Sequence, residues 1–140
     1  MRHPLLDQLP DDVRHTLMPY IQRFDYARGA TVFRQGEHAR GLYFIDAGLV
    51  QFGIDTASGE STFIGIAKPG FYLGDGEILA KKPHFAMAGA FTPCSISLLP
   101  RANVEQAMRS FPDFSIAVAQ RLARSLHLVQ MVQMARHQLS

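Results

Sequence analysis

The chain has 140 residues, of which 47% are hydrophobic and 19% charged, enough for one domain with its own core. It lacks both an apolar run of the ~18 residues needed to span a membrane and a secretory signal, so a soluble cytoplasmic protein is expected. A single cysteine, Cys94, excludes an internal disulfide, a thiolate zinc site and a cysteine-ligated iron–sulfur cluster, and a net charge of +2 does not by itself mark a nucleic-acid binder.

Residues 10–23 carry Val13, Leu17, Ile21 and Phe24 at three- and four-residue steps behind Asp11 and Asp12, which predicts an amphipathic helix that Pro19 shortens or kinks. The N-terminal helical segment is therefore 1–25. From 26 to 99 the texture changes to short apolar runs separated by glycine-bearing turns. These runs are 31–33, 42–45, 49–54, 61–66, 86–91 and 95–99, with a hairpin turn at 55–59. Strands this short and regular, without intervening helices, predict an antiparallel barrel or sandwich of jelly-roll type. Cys94 within Pro93-Cys94-Ser95-Ile96 reads as a small buried apolar residue.

Segment 100–140 returns to the helical period. A short helix at 101–109 is followed by a break at Ser110-Phe-Pro-Asp113 and a long helix over 113–138 without glycine or proline. Its stripe of Val118, Leu122, Val129, Val132 and Leu139 is widened by Leu126, Leu128, Met131 and Met134. The barrel can cover part of this surface; the rest calls for a partner, most simply the same helix of a second copy, which makes Val118, Leu122, Leu126, Val129, Val132 and Leu139 the candidate homodimer interface. Arg121, Arg124 and Arg136 read as the solvated side of that helix.

The most informative stretch is 69–86, Pro-Gly-Phe-Tyr-Leu-Gly-Asp-Gly-Glu-Ile-Leu-Ala-Lys-Lys-Pro-His-Phe-Ala. Together with Gly29-Ala-Thr-Val-Phe-Arg-Gln-Gly36-Glu37 and Leu42-Tyr-Phe-Ile-Asp-Ala-Gly48-Leu-Val50, it resembles the phosphate-binding cassette and preceding strands of a cyclic-nucleotide-binding domain. The long last helix resembles the dimerisation helix of catabolite-activator/FNR-type transcription regulators. The resemblance covers nearly the whole chain and implies a mainly β fold with flanking helices: helix, jelly roll, short helix, long helix.

In that family a short helix after a Gly-Glu pair presents backbone N–H groups to the cyclic phosphate, its acid accepts from the ribose, and an arginine followed by Ser or Thr completes the phosphate site. Laid on this chain, the Gly-Glu pair becomes Gly74-Asp75, with Gly76-Glu77 as a second candidate two residues on. The arginine position falls on Phe85 and the Ser/Thr position on Ala86. Lys81, Lys82 and His84 supply charge if the loop bends inward; otherwise Lys81-Lys82 is a solvated turn. The candidate pocket is therefore Gly74, Asp75, Gly76, Glu77, Ile78, Leu79, Lys82, His84, Phe85 and Ala86, either open or filled by Phe85, and standard cyclic-nucleotide binding is not expected.

Other chemistry is thin. The six histidines (3, 15, 38, 84, 127 and 137) contain no His-x-His and no matching ligand set for a cupin-type metal enzyme. Haem ligation by His127, Met131 or Met134 competes with their use as core or interface. No metal and no enzymatic activity is assigned, and the ligand is left open between a cyclic nucleotide and a less charged small-molecule effector. The expected function is an effector-sensing and dimerisation domain of a catabolite-activator/FNR-type regulator, with DNA contact only through a helix-turn-helix domain absent from this chain. The alternative is a stand-alone regulatory module acting by protein association.

Overall fold

A computed structural model describes residues 3–139. After α1 (Pro4–Asp7) and α2 (Asp11–Leu17) come β1 (Gln22–Tyr26), β2 (Thr31–Phe33), β3 (Gly41–Ala47), β4 (Val50–Asp55), β5 (Ser61–Ala67) and β6 (Tyr72–Leu73). Then follow α3 (Asp75–Ala80), β7 (Met87–Ala90), β8 (Cys94–Pro100), α4 (Arg101–Ser110) and α5 (Pro112–Leu139). The strands form two four-stranded antiparallel sheets, ordered β1-β8-β3-β6 and β2-β7-β4-β5. This is the jelly-roll arrangement with a long C-terminal helix.

β3 is the centre of the molecule. Leu42, Tyr43, Phe44 and Ile45 are buried in succession, because one face of the strand meets the other sheet's core residues and the other lies under the helices. Leu42 pairs with Leu99 and Ile45 with Ile96. Val104 and Ala107 of α4 and Phe114, Ala117 and Val118 of α5 join the same apolar cluster. Burial of such side chains contributes roughly 1.5–3 kcal/mol each. Cys94 is buried, as its apolar setting predicts, and burial pushes its thiol pKa up.

The N-terminus differs from the expected single helix over 10–23. The helix stops at Leu17, a short 3₁₀ turn spans Met18–Tyr20, and 22–26 is already a strand. Pro19 has no N–H for a continuing helix, and β1 gains a full ladder on β8, from Gln22↔Leu98 to Tyr26↔Cys94. Helical spacing at Ile21 and Phe24 was accidental. α1 lies within the expected helical segment 1–25 but ahead of the helix that the periodicity predicts over 10–23. It is pinned by His3, which is fully buried. The Leu5 N–H donates to His3 Nδ1 at 3.3 Å, so Nε2 carries the proton and donates to the Phe71 carbonyl at 3.1 Å.

The long helix divides in two. Val118, expected at a dimer interface, is instead 2% exposed within the protomer's own core, and Leu122 packs partly against that core. From Leu126 onward Leu126, Leu128, Val129, Met131, Val132 and Met134 stand exposed. A helix of 28 residues extends roughly 42 Å, further than the sheets beside it reach, so the barrel does not cover this surface. The side chain of Leu139 lies outside the described residues. No described helix is long and apolar enough to cross a membrane.

Candidate functional site

The site begins where β6 ends. Tyr72 and Leu73 pair with Phe44 and Tyr43 of β3, which fixes the chain against the core. Gly74 then turns it with φ 102°. A β-carbon there would stand 2.5 Å from the Gly41 carbonyl oxygen, so only glycine fits on both conformational and steric grounds. The turn places Asp75 at the first position of α3, and Lys81, in the left-handed region at φ 55°, ends the helix. The chain then returns, and His84 is held by its backbone: its N–H donates to the Glu37 carbonyl and its carbonyl accepts from the Gly36 N–H, both at 2.8 Å.

Two side-chain contacts to acids follow. His84, itself buried, stacks on Phe33 with ring centroids 3.7 Å apart, and its Nδ1 donates to Glu77 Oε2 at 2.7 Å. Asp75 Oδ2 accepts from Arg121 Nη1 of α5 at 2.8 Å. The Arg121 guanidinium carbon also lies 4.2 Å from the Tyr72 ring centroid, a cation–π geometry. Burial, reinforced by the Asp75 charge, pushes the Tyr72 phenol up to about 12.

These groups surround an open cavity of about 270 Å³. Of the sequence-predicted residues, Gly74, Asp75, Glu77, His84, Phe85 and Ala86 line it. Gly76, Ile78, Leu79 and Lys82 do not: Ile78 is buried in the apolar core, while Leu79 and Lys82 face solvent. Lys81 and Lys82 form the solvated turn and bring no charge inward. His84 does turn inward, but toward Glu77. Phe85 is 68% exposed at the cavity wall, so it does not fill the pocket.

Sequence reading missed Phe33, Phe52, Ile64, Tyr72, Leu73 and, above all, Arg121. Arg121 was assigned to the solvated side of the helix. It reaches the cassette because α5 crosses beside Tyr72 and Asp75 after burying Phe114, Ala117 and Val118, a juxtaposition that no spacing within α5 encodes. No cluster of three or more potential metal ligands occurs among the described residues.

A family model described as "Cyclic nucleotide-binding domain" matches residues 23–111. The chain belongs to this family. Within it, the chain is 29% identical over 122 residues to the Global nitrogen regulator of Synechocystis, an alignment covering 85% of this chain and 53% of the relative. Among solved structures, the Catabolite Activator Protein of Thermus thermophilus superposes with a TM-score of 0.80 at 24% identity, over 96% of this chain and 63% of that one. The sensor domain of the transcriptional regulator DNR from Pseudomonas aeruginosa superposes with a TM-score of 0.78 at 21% identity, over 94% and 87% of the two chains. The cyclic-nucleotide-binding domain described here spans about half the length of the curated relatives it matches. These relatives are named as regulators, not enzymes.

Proposed function

We propose that this chain is the effector-sensing and dimerisation domain of a catabolite-activator/FNR-type transcription regulator whose pocket no longer holds a cyclic nucleotide in the family's standard way. The observation that carries this reading is the charge arrangement of the cassette. By the family resemblance Phe85 and Ala86 fall at the positions of the phosphate-binding arginine and hydroxyl residue, and two acids, Asp75 and Glu77, line the cavity. Arg121 is already engaged by Asp75. A cyclic phosphate seated here would either lie unpaired beside two carboxylates or draw Arg121 away and leave Asp75 buried and alone, and both outcomes are costly.

The same pair supplies a route from pocket to helix. Asp75 stands on α3 of the cassette and Arg121 on α5, so an effector that alters their contact has differential affinity for two placements of α5 and shifts the population between them. The exposed apolar half of α5, with Leu126, Val129 and Val132, supports self-association of two copies through that helix. DNA contact in such a regulator lies outside residues 1–140.

Calorimetric titration with cyclic AMP and cyclic GMP tests the pocket; no heat of binding is expected at micromolar ligand, and micromolar affinity for either ends the proposal. Sedimentation of the purified chain tests the assembly, with a dimer expected and a strictly monomeric species at tens of micromolar contradicting it.

A further inference from the structure

We infer that the cavity takes a small, uncharged aromatic molecule of one or two rings. The inference rests on the reading above that the phosphate site is lost, and adds what the remaining walls select. Every charged side chain lining the cavity, among the described residues, is matched by another lining side chain. Asp75 is taken by Arg121 at 2.8 Å and Glu77 by His84 at 2.7 Å. An anion would compete with a carboxylate for Arg121, and a cation would compete with Arg121 or His84 for a carboxylate. A neutral ligand disturbs neither pair.

The other walls are apolar and largely aromatic. Phe33 and Phe52 stand inside, with Ile64 and Phe85 exposed at the wall (44% and 68%). Exposed aromatic and branched side chains converging on a cavity gain by being covered, and flat rings are what aromatic walls hold best. The volume, about 270 Å³, falls just below the roughly 300–1,000 Å³ of small-molecule sites, which limits the occupant to one or two rings. The lining also has spare polar capacity: the Tyr72 hydroxyl and His84 Nε2 are buried without a partner. One hydroxyl or N–H on the ligand matches that capacity; a charged group does not.

A charge series on one ring system tests this with the intact chain. 2-Naphthol, 2-naphthalenesulfonate and 2-naphthylmethylammonium share a skeleton and differ in charge. Each is titrated while the methyl resonances of Ile64, Ala86, Leu128 and Met131 are followed by NMR. The expected result is saturable movement of the Ile64 and Ala86 methyls, with 2-naphthol binding at least tenfold more tightly than either ion. The methyls of Leu128 and Met131, on the exposed part of α5, stay still. Phe85→Arg, a change at an exposed position, is expected to weaken 2-naphthol at least tenfold and to favour the sulfonate.

Equal or tighter binding of an ion, unchanged affinity in F85R, movement confined to Leu128 and Met131, or no movement up to the solubility of 2-naphthol each overturns the inference. Cyclic AMP run alongside separates the two levels. If it moves the Ile64 and Ala86 methyls at micromolar concentration, the underlying reading of the cassette fails. If cyclic AMP and 2-naphthol are both silent, only the ligand class fails.

Discussion

Removal of the Arg121 guanidinium is the most direct probe of how the cassette is tied to the long helix. Arg121→Met keeps the stem of the side chain and deletes the charge, leaving Asp75, whose side chain is 7% exposed, without its partner. Stranding one member of a buried ion pair costs about 3–5 kcal/mol. Arg121 is 27% exposed, so water can follow the change and reduce the penalty. Loss of the contact with the Tyr72 ring adds about 0.5–1 kcal/mol. We expect a net destabilisation of about 2–3 kcal/mol, equivalent to a fall in Tm of about 6–10 °C for a chain of this size.

The pairwise part is isolated by a double-mutant cycle with Asp75→Asn, which keeps the shape and removes the acid. The double variant should recover at least about 1 kcal/mol relative to the sum of the single changes. Urea unfolding followed by circular dichroism, with all variants at one protein concentration so that self-association is held constant, reads these values. A loss below about 0.5 kcal/mol in R121M, or additive single changes, would mean that Arg121 is solvated as the helix pattern alone suggests, and the proposed link between pocket and helix would fall.

Three further outcomes follow from the geometry. The double change Phe85→Arg with Ala86→Ser places a cation and a hydroxyl where the family resemblance puts the phosphate contacts and should raise cyclic AMP affinity at least tenfold over the parent, measured by calorimetry; an unchanged isotherm would refute that placement. His3 is buried and donates and accepts in its neutral form, so burial holds its pKa below the ordinary 6.5. The unfolded chain then binds the proton first: the neutral ring's contribution is complete above 6.5 and is lost as pH falls below it, down to the depressed native value. Chemical denaturation across that range should show stability falling with acid, with a flatter profile in His3→Phe; an equal slope in both proteins refutes the assignment. Val129→Glu with Val132→Glu places charges on the exposed half of α5 and should raise the dissociation constant of the proposed dimer at least a hundredfold in sedimentation equilibrium while leaving Tm extrapolated to the monomer nearly unchanged; self-association unaffected by both acids refutes the proposed interface.

The sequence by itself determined the fold class and most of its boundaries. Short apolar runs between glycine turns specify antiparallel strands, and 31–33, 42–45 and 61–66 became β2, β3 and β5 with ends that differ by at most two residues. The cassette backbone was legible because Gly74 and Asp75 act locally: one supplies a left-handed turn, the other begins the helix that follows. The proposed loss of the phosphate arginine rests on residue identity alone, through the position that the family resemblance assigns to Phe85.

Tertiary structure decided what those residues face. β1 read as helix because period alone cannot register an available ladder on β8, whose partner lies more than 70 residues away in the Gln22↔Leu98 pairing. Val118 and Val129 share one helical stripe, yet one is in the protomer core and the other is exposed, because the helix outruns the sheets. Arg121 and Asp75 are 46 residues apart, and their meeting depends on where α5 crosses the cassette. Local pattern encodes which side chains seek cover and which turns the backbone makes; a charge's partner is set by the packing of distant elements, and that packing has no periodicity to read.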